Sequence, residues 1–245
     1  MKTFSALRVI YMLLTTYSYS MDPDIPRQWY EQELREAVIH ADIPFILESI
    51  NRDSNYIYSR DSEGNTLLHW AAYNGHKDVA ELLIHHGAFS DAHNKQNEIP
   101  LHCAAANGHT SLLALLSNNG TLINCQDSNQ YTPLHWAAMN AHMQTAQFLL
   151  AHGADCSSLD YRSLTPLHWA ARNGNKEIAK LLLAYGAESN AQDKDKATPL
   201  HLAAHNGQIG VLKVLFKNGA HIDALDSNKA TPLHWAAYNG YSKAL

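Results

Sequence analysis

Sixteen histidines and three cysteines are the residues of this chain best suited to chemistry. Imidazole binds metals and moves protons near neutral pH, and thiolate ligates zinc or acts as a nucleophile. The spacing speaks against both uses. Cys103, Cys125 and Cys156 are odd in number and far apart, with no C-x-x-C pair. Neither a disulfide framework nor a cysteine zinc site is expected, and half-buried thiols are. His85, His86 and His93 lie near one another, but no Cys, Asp or Glu completes a tetrahedral set at good spacing. They read as surface histidines favoured by a helix C-terminus. G-x-S-x-G, phosphate-loop, H-E-x-x-H and G-x-G-x-x-G motifs are all missing, so no catalytic residue, metal or cofactor is expected.

Six of the other histidines keep a strict phase, and that phase leads back to the elements that hold them. His69, His102, His135, His168, His201 and His234 are each 33 residues apart. The text around them recurs as Thr-Pro-Leu-His-Trp-Ala-Ala at 132–138, 165–171 and 231–237, with close variants at 66–72, 99–105 and 198–204. Ten of the 12 glycines fall into the same phase, just past each of two apolar runs, where a left-handed residue stops a helix. Pro100, Pro133, Pro166, Pro199 and Pro232 follow a Thr or Ile. Proline suits the first helical position and threonine the cap before it. Each unit therefore reads as turn, helix, loop, helix. In the third unit the helices are predicted from about Pro133 to Asn140 and His142 to His152. Two such short helices bury their apolar faces only by stacking on neighbours.

The heptamer, the 33-residue period and the turns Gly153-Ala154-Asp155 and Gly186-Ala187-Glu188 resemble the ankyrin repeat. The resemblance covers residues 61–245, with units 61–93, 94–126, 127–159, 160–192, 193–225 and an incomplete 226–245. Residues 21–60 are expected to hold a degenerate capping unit (about 29–60) without the heptamer. The resemblance implies an all-α solenoid of stacked helix-turn-helix units joined by β-hairpin-like turns. It implies that the heptamer imidazoles bond to the repeat's own turn backbone. It also implies that Trp70, Trp136, Trp169 and Trp235 pack against the neighbouring helix. A concave face made of turn tips and first helices would then bind a protein partner through the second, third, fifth and thirteenth residues of each unit. Tyr73, Tyr131, Met139, Tyr161, Arg162, Leu164, Arg172, His205 and Tyr238 stand at such positions. Those of the third and fourth units form the expected centre of contact, because Tyr, Met and Arg are enriched in interface cores.

A formal net charge of −5 gives nucleic acid no broad basic surface, and no segment is long and apolar enough to span a bilayer. Lys2 and Arg8, the run Val9 to Leu14 and the polar residues 15–20 have the order of a secretory signal, with an over-called start at Met21 as the rival reading. A secreted location follows from the first reading and a cytoplasmic one from the second. Asn119-Gly120-Thr121 matches a glycosylation triplet but overlaps a helix stop. The last unit breaks off in its second helix, so a fragment of a longer protein is expected. A monomer is expected unless that uncapped unit associates. The resulting expectation is a non-enzymatic interaction scaffold. The alternatives are a targeting module of a larger enzyme and a secreted effector acting on another cell's proteins.

Overall fold

A computed structural model of the chain describes residues 27–118 and 123–241. The signal-like residues 1–20, the triplet at 119–121 and the final residues 242–245 lie outside the described residues. Among those described there are 13 α-helices and no strand. A capping pair, α1 (Arg27–Ile39) and α2 (Ile43–Arg52), is followed by a 3-10 turn (Ser54–Tyr58). Five helix pairs come next: α3 (Leu67–Asn74) and α4 (Lys77–His85), α5 (Pro100–Ala106) and α6 (Thr110–Asn118), α7 (Pro133–Met139) and α8 (Met143–Ala151), α9 (Pro166–Asn173) and α10 (Lys176–Ala184), α11 (Pro199–His205) and α12 (Ile209–Lys217). A last first-helix, α13 (Pro232–Tyr238), closes the described chain.

Each first helix begins where the heptamer places it. In the third unit Thr132 caps α7, its Oγ1 accepting from His135 N at 3.4 Å, and Pro133 fills the first position, where a helix needs no donor. The two alanines of each of the first five heptamers, such as Ala137 and Ala138, are buried. These small side chains let successive first helices pack more closely than the leucine-rich second helices do, so the stack curves with the first helices inside. Leu112, Leu113, Leu149 and Leu182 of the second helices are fully buried in one continuous core. Leu233 and His234 are exposed, unlike their counterparts in earlier units, because among the described residues no further unit covers them.

The tips between units are β-turns built on one side-chain oxygen, an Asp carboxylate in all but the second unit, where Asn94 takes its place. Asp127 Oδ1 accepts from Asn129 N at 2.8 Å and Tyr131 N at 2.9 Å, and Gln130 N donates back to the Asp127 carbonyl at 2.9 Å. Asp160, Asp193 and Asp226 repeat this arrangement. A short polar side chain that mimics the backbone is well suited to such a turn.

Candidate functional site

The inner face of the array is built from these tips and from the C-terminal ends of the first helices. Its scaffold is a set of repeated side-chain bonds. Nδ1 of His135 accepts from Thr132 N at 3.1 Å, so Nε2 carries the proton and donates to the Leu164 carbonyl at 3.1 Å. The imidazole thus bonds its own turn, as the resemblance implied, and also grips the next tip. His69, His168 and His201 make the same pair of bonds, to Glu98, Ala197 and Ala230 respectively. His102 shares its Nε2 proton between the carbonyls of Cys125 and Tyr131. Burial disfavours the charged ring, and holds His69, His102 and His168 down at about 4.

The second histidine set forms struts between units. His109 Nε2 donates to the Tyr73 carbonyl at 3.0 Å and His142 Nε2 to the Ala106 carbonyl at 3.0 Å. These histidines serve the stack itself. Among the described residues no three His, Cys, Asp or Glu side chains are grouped to hold a metal ion. Cys103, Cys125 and Cys156 are free and half-buried, and desolvation pushes Cys103 and Cys125 up to about 12.

The tryptophans do more than pack. Trp70, Trp136, Trp169 and Trp235 each donate an indole N–H to the turn carboxylate nine residues earlier, Asp61, Asp127, Asp160 and Asp226, at 2.9–3.2 Å. The constant interval between Asp and Trp was the signal for this bond. The second unit has Asn94 and Cys103 at the two positions, so acid and indole are replaced together. The fifth unit keeps Asp193 but has Leu202.

The site residues expected from sequence divide into two groups. Tyr131 and Leu164 are buried, 9 % and 1 % exposed, which corrects their assignment to an accessible surface. The fifth residue of a tip turns inward onto the next unit. The Tyr131 ring sits edge-on to Trp136 at 5.3 Å and to Trp169 at 5.7 Å, wedged between two indoles. Desolvation, with Asp160 nearby, pushes its hydroxyl up to about 12. Around this wedge lie accessible groups. Tyr161 is 45 % exposed and edge-on to Tyr131 at 6.5 Å. Arg172 lies over the Trp169 ring at 5.2 Å, and Arg162 is exposed beside Tyr161. Lys194, the second residue of the fifth unit, joins the cluster by donating its ammonium to the Tyr161 carbonyl. Neither Arg162 nor Arg172 has a salt-bridge partner among the described residues.

Met139 is half-buried, and its carbonyl accepts from Asn173 Nδ2 at 2.8 Å, which places it in the row next to Arg172. Tyr73, His205 and Tyr238 are exposed but stand apart from this cluster, in the first, fifth and sixth units. His205 packs on Trp235 at 5.4 Å.

The family of ankyrin repeats, described as three copies per match, covers residues 34–127, 101–193 and 167–245. The chain belongs to the ankyrin-repeat family. Proteins of this family are generally modules for protein–protein interaction and typically non-catalytic. A search of the curated proteins finds no match. No helix among the described residues is long and apolar enough to cross a membrane.

Proposed function

We propose that the chain is an interaction scaffold that holds a protein partner against the inner face of the array, centred on Tyr161, Arg162 and Arg172. The observation that carries this reading is the cluster itself. Two guanidiniums without an ion pair among the described residues border an aromatic surface whose Trp169 and Tyr131 rings are already held rigid by Asp160 and by neighbouring rings. Rigid aromatic and arginine side chains lose little entropy on contact and dominate interface energetics. Met139 extends the same surface, whereas Tyr73, His205 and Tyr238 form its flanks. Tyr131 and Leu164 support it from beneath. Five of the six heptamer histidines are occupied by the stack, which supports binding over catalysis as the function of this segment.

The test is affinity capture from the source cells with the intact chain, a Tyr161→Ala/Arg162→Ala/Arg172→Ala variant and a Lys77→Ala/Lys180→Ala control on the second helices. A partner held by the control and wild type but lost by the triple variant is expected, at about 1 kcal/mol or more for each residue that is a hot spot. Equal retention by all three would remove the surface from consideration.

A further inference from the structure

We propose a second binding site, at the first junction of the array and separate from the surface above, that takes an extended peptide segment carrying an acidic side chain. Later junctions show what is missing there. Each later tip is tied to the one before by a backbone bond: Lys95 N to Glu63 O at 2.9 Å, Ser128 N to Gln96 O at 2.8 Å, Tyr161 N to Asn129 O at 3.0 Å, Lys194 N to Arg162 O at 3.1 Å and Ser227 N to Asp195 O at 2.8 Å. Ser62 holds that donor position in the first tip, and its N–H has no acceptor among the described residues. The cause lies in the capping unit. Where other units place a tip, α1 continues as helix, 13 residues long against 8 in α3, and its carbonyls are consumed by its own turns. The capping unit also has no tip residue to stack on Trp70 as Tyr131 stacks on Trp169, and the half-buried Trp70 ring meets Tyr73 of its own helix instead.

A cleft of about 340 Å³ stands in the vacated place, bordered by Gln32, Arg35, Arg60, Ser62, Leu67 and Trp70. The cleft also holds the carboxylates of Glu31 and Asp61, neither of which is free, so its open bonding capacity is that of the Ser62 N–H and the Arg35 guanidinium. By alignment of the buried Leu34, Ala37 and Val38 with Leu68, Ala71 and Ala72, Arg35 stands where the heptamer histidine would be. Its guanidinium forms a loose ion pair with Asp61, 3.9 Å from Oδ2 and too far for a hydrogen bond, so its N–H donors are open to a nearer carboxylate. The Asp61 carboxylate is already engaged by Glu63 N, Asn65 and the Trp70 indole. The Arg60 Nη1 is engaged by the carbonyls of Gly64 and His93. A fitting ligand therefore brings a main-chain carbonyl for the Ser62 N–H, a carboxylate for Arg35 and an apolar side chain for Leu67 and the outer face of Trp70. An extended peptide supplies all three at once, as in strand addition to an open edge.

The experiment is a nitrogen-15 NMR titration of the full chain with Ac-Leu-Glu-Leu-NH2 and its Gln and Lys counterparts. The Glu peptide should shift the Ser62 amide and the Trp70 indole saturably, the Gln peptide more weakly and the Lys peptide not at all. Ser62 is the second residue of the turn closed by Gly64 N to Asp61 O at 2.9 Å, where proline is favoured. Ser62→Pro therefore removes the donor while keeping the turn, and should weaken the Trp70 response about tenfold. Arg35→Gln should do likewise by removing the charge, and it serves if Ser62→Pro lowers the melting temperature. No Trp70 shift with millimolar peptide, equal response to the Glu and Lys peptides, or full affinity in a folded variant would overturn the proposal. So would a Ser62 shift driven by protein concentration alone, which would mean that a second copy fills the cleft.

Discussion

The ring of His168 reaches the carbonyl of Ala197, 29 residues downstream, with Nε2 at 3.2 Å, while Nδ1 receives Thr165 N at 3.1 Å. One buried side chain thus closes the N-terminus of its own helix and clasps the following tip. Cooperativity in a linear stack arises from such terms between neighbours, because each unit lacks a core of its own.

Replacing His168 by Ala should leave the Thr165 N–H and the Ala197 carbonyl buried without this partner and open a cavity. The expected loss is about 3 kcal/mol. His234 makes the same bond to Thr231 but is exposed, and has no downstream carbonyl among the described residues. His234→Ala should cost less than about 1 kcal/mol. Urea unfolding of the two variants measures both, and equal losses would show that the clasp adds nothing beyond the cap.

Acid should loosen the stack through the same rings. In the unfolded chain a histidine takes its proton near 6.5, whereas burial holds His69, His102 and His168 at about 4. The unfolded state therefore binds more protons between these values. Stability is fully present above 6.5 and falls as pH drops toward 4, by a few kcal/mol per ring on the order-of-magnitude scale of linkage. Carboxylates titrate mostly below this window's upper half, so urea midpoints taken between neutral pH and about pH 5 isolate the histidines. A flat midpoint across that range would contradict the assignment of neutral, Nε2-protonated rings.

The helices, caps and units were legible in the sequence because a 33-residue period leaves few ways to place Thr, Pro and Gly. The accessible surface was less so. Tyr131 and Leu164 look like variable tip residues, yet their side chains face the next unit, and only the stacked geometry reveals it. Tyr161, Arg162 and Arg172 were readable because the second, third and thirteenth positions of a unit point away from the stack, and Lys194, also at a second position, joins them by reaching across to the Tyr161 carbonyl of the preceding tip. The cleft at Ser62 was out of reach, since it depends on how far α1 extends as helix.

The pairing of turn acid and indole suggests a stabilising change in the fifth unit. Asp193 accepts from Asp195 N and Ala197 N but meets Leu202 where four other units supply an indole N–H. Leu202 is half-buried and accessible enough to admit a larger ring. Leu202→Trp should add a charge-assisted hydrogen bond and raise stability by about 1 kcal/mol. Thermal melting reads the gain, and the same substitution made with Asp193→Ala should lose it. A gain that persists without Asp193 would point to ring packing alone.

Ala141 has φ 63°, left-handed, at the position where Gly108 has φ 76°. A side chain there costs about 1–2 kcal/mol. The sequence tolerates it because the strut that follows is Asn175, which reaches the Ala138 carbonyl at 2.7 Å. After Gly108 the strut is His142, whose Nδ1 lies 2.5 Å from where a Cβ would stand. Ala141→Gly should therefore relieve strain, partly offset by the freer unfolded chain, for a net gain of about 0.5–1 kcal/mol. Gly108→Ala should add the same strain and displace the His142 ring from the Ala106 carbonyl, for a loss of about 2 kcal/mol or more. Urea midpoints of the two variants decide it. If Gly108→Ala is as stable as the parent, the strut histidine is not held by the glycine beneath it, and the close approach of neighbouring units has another cause.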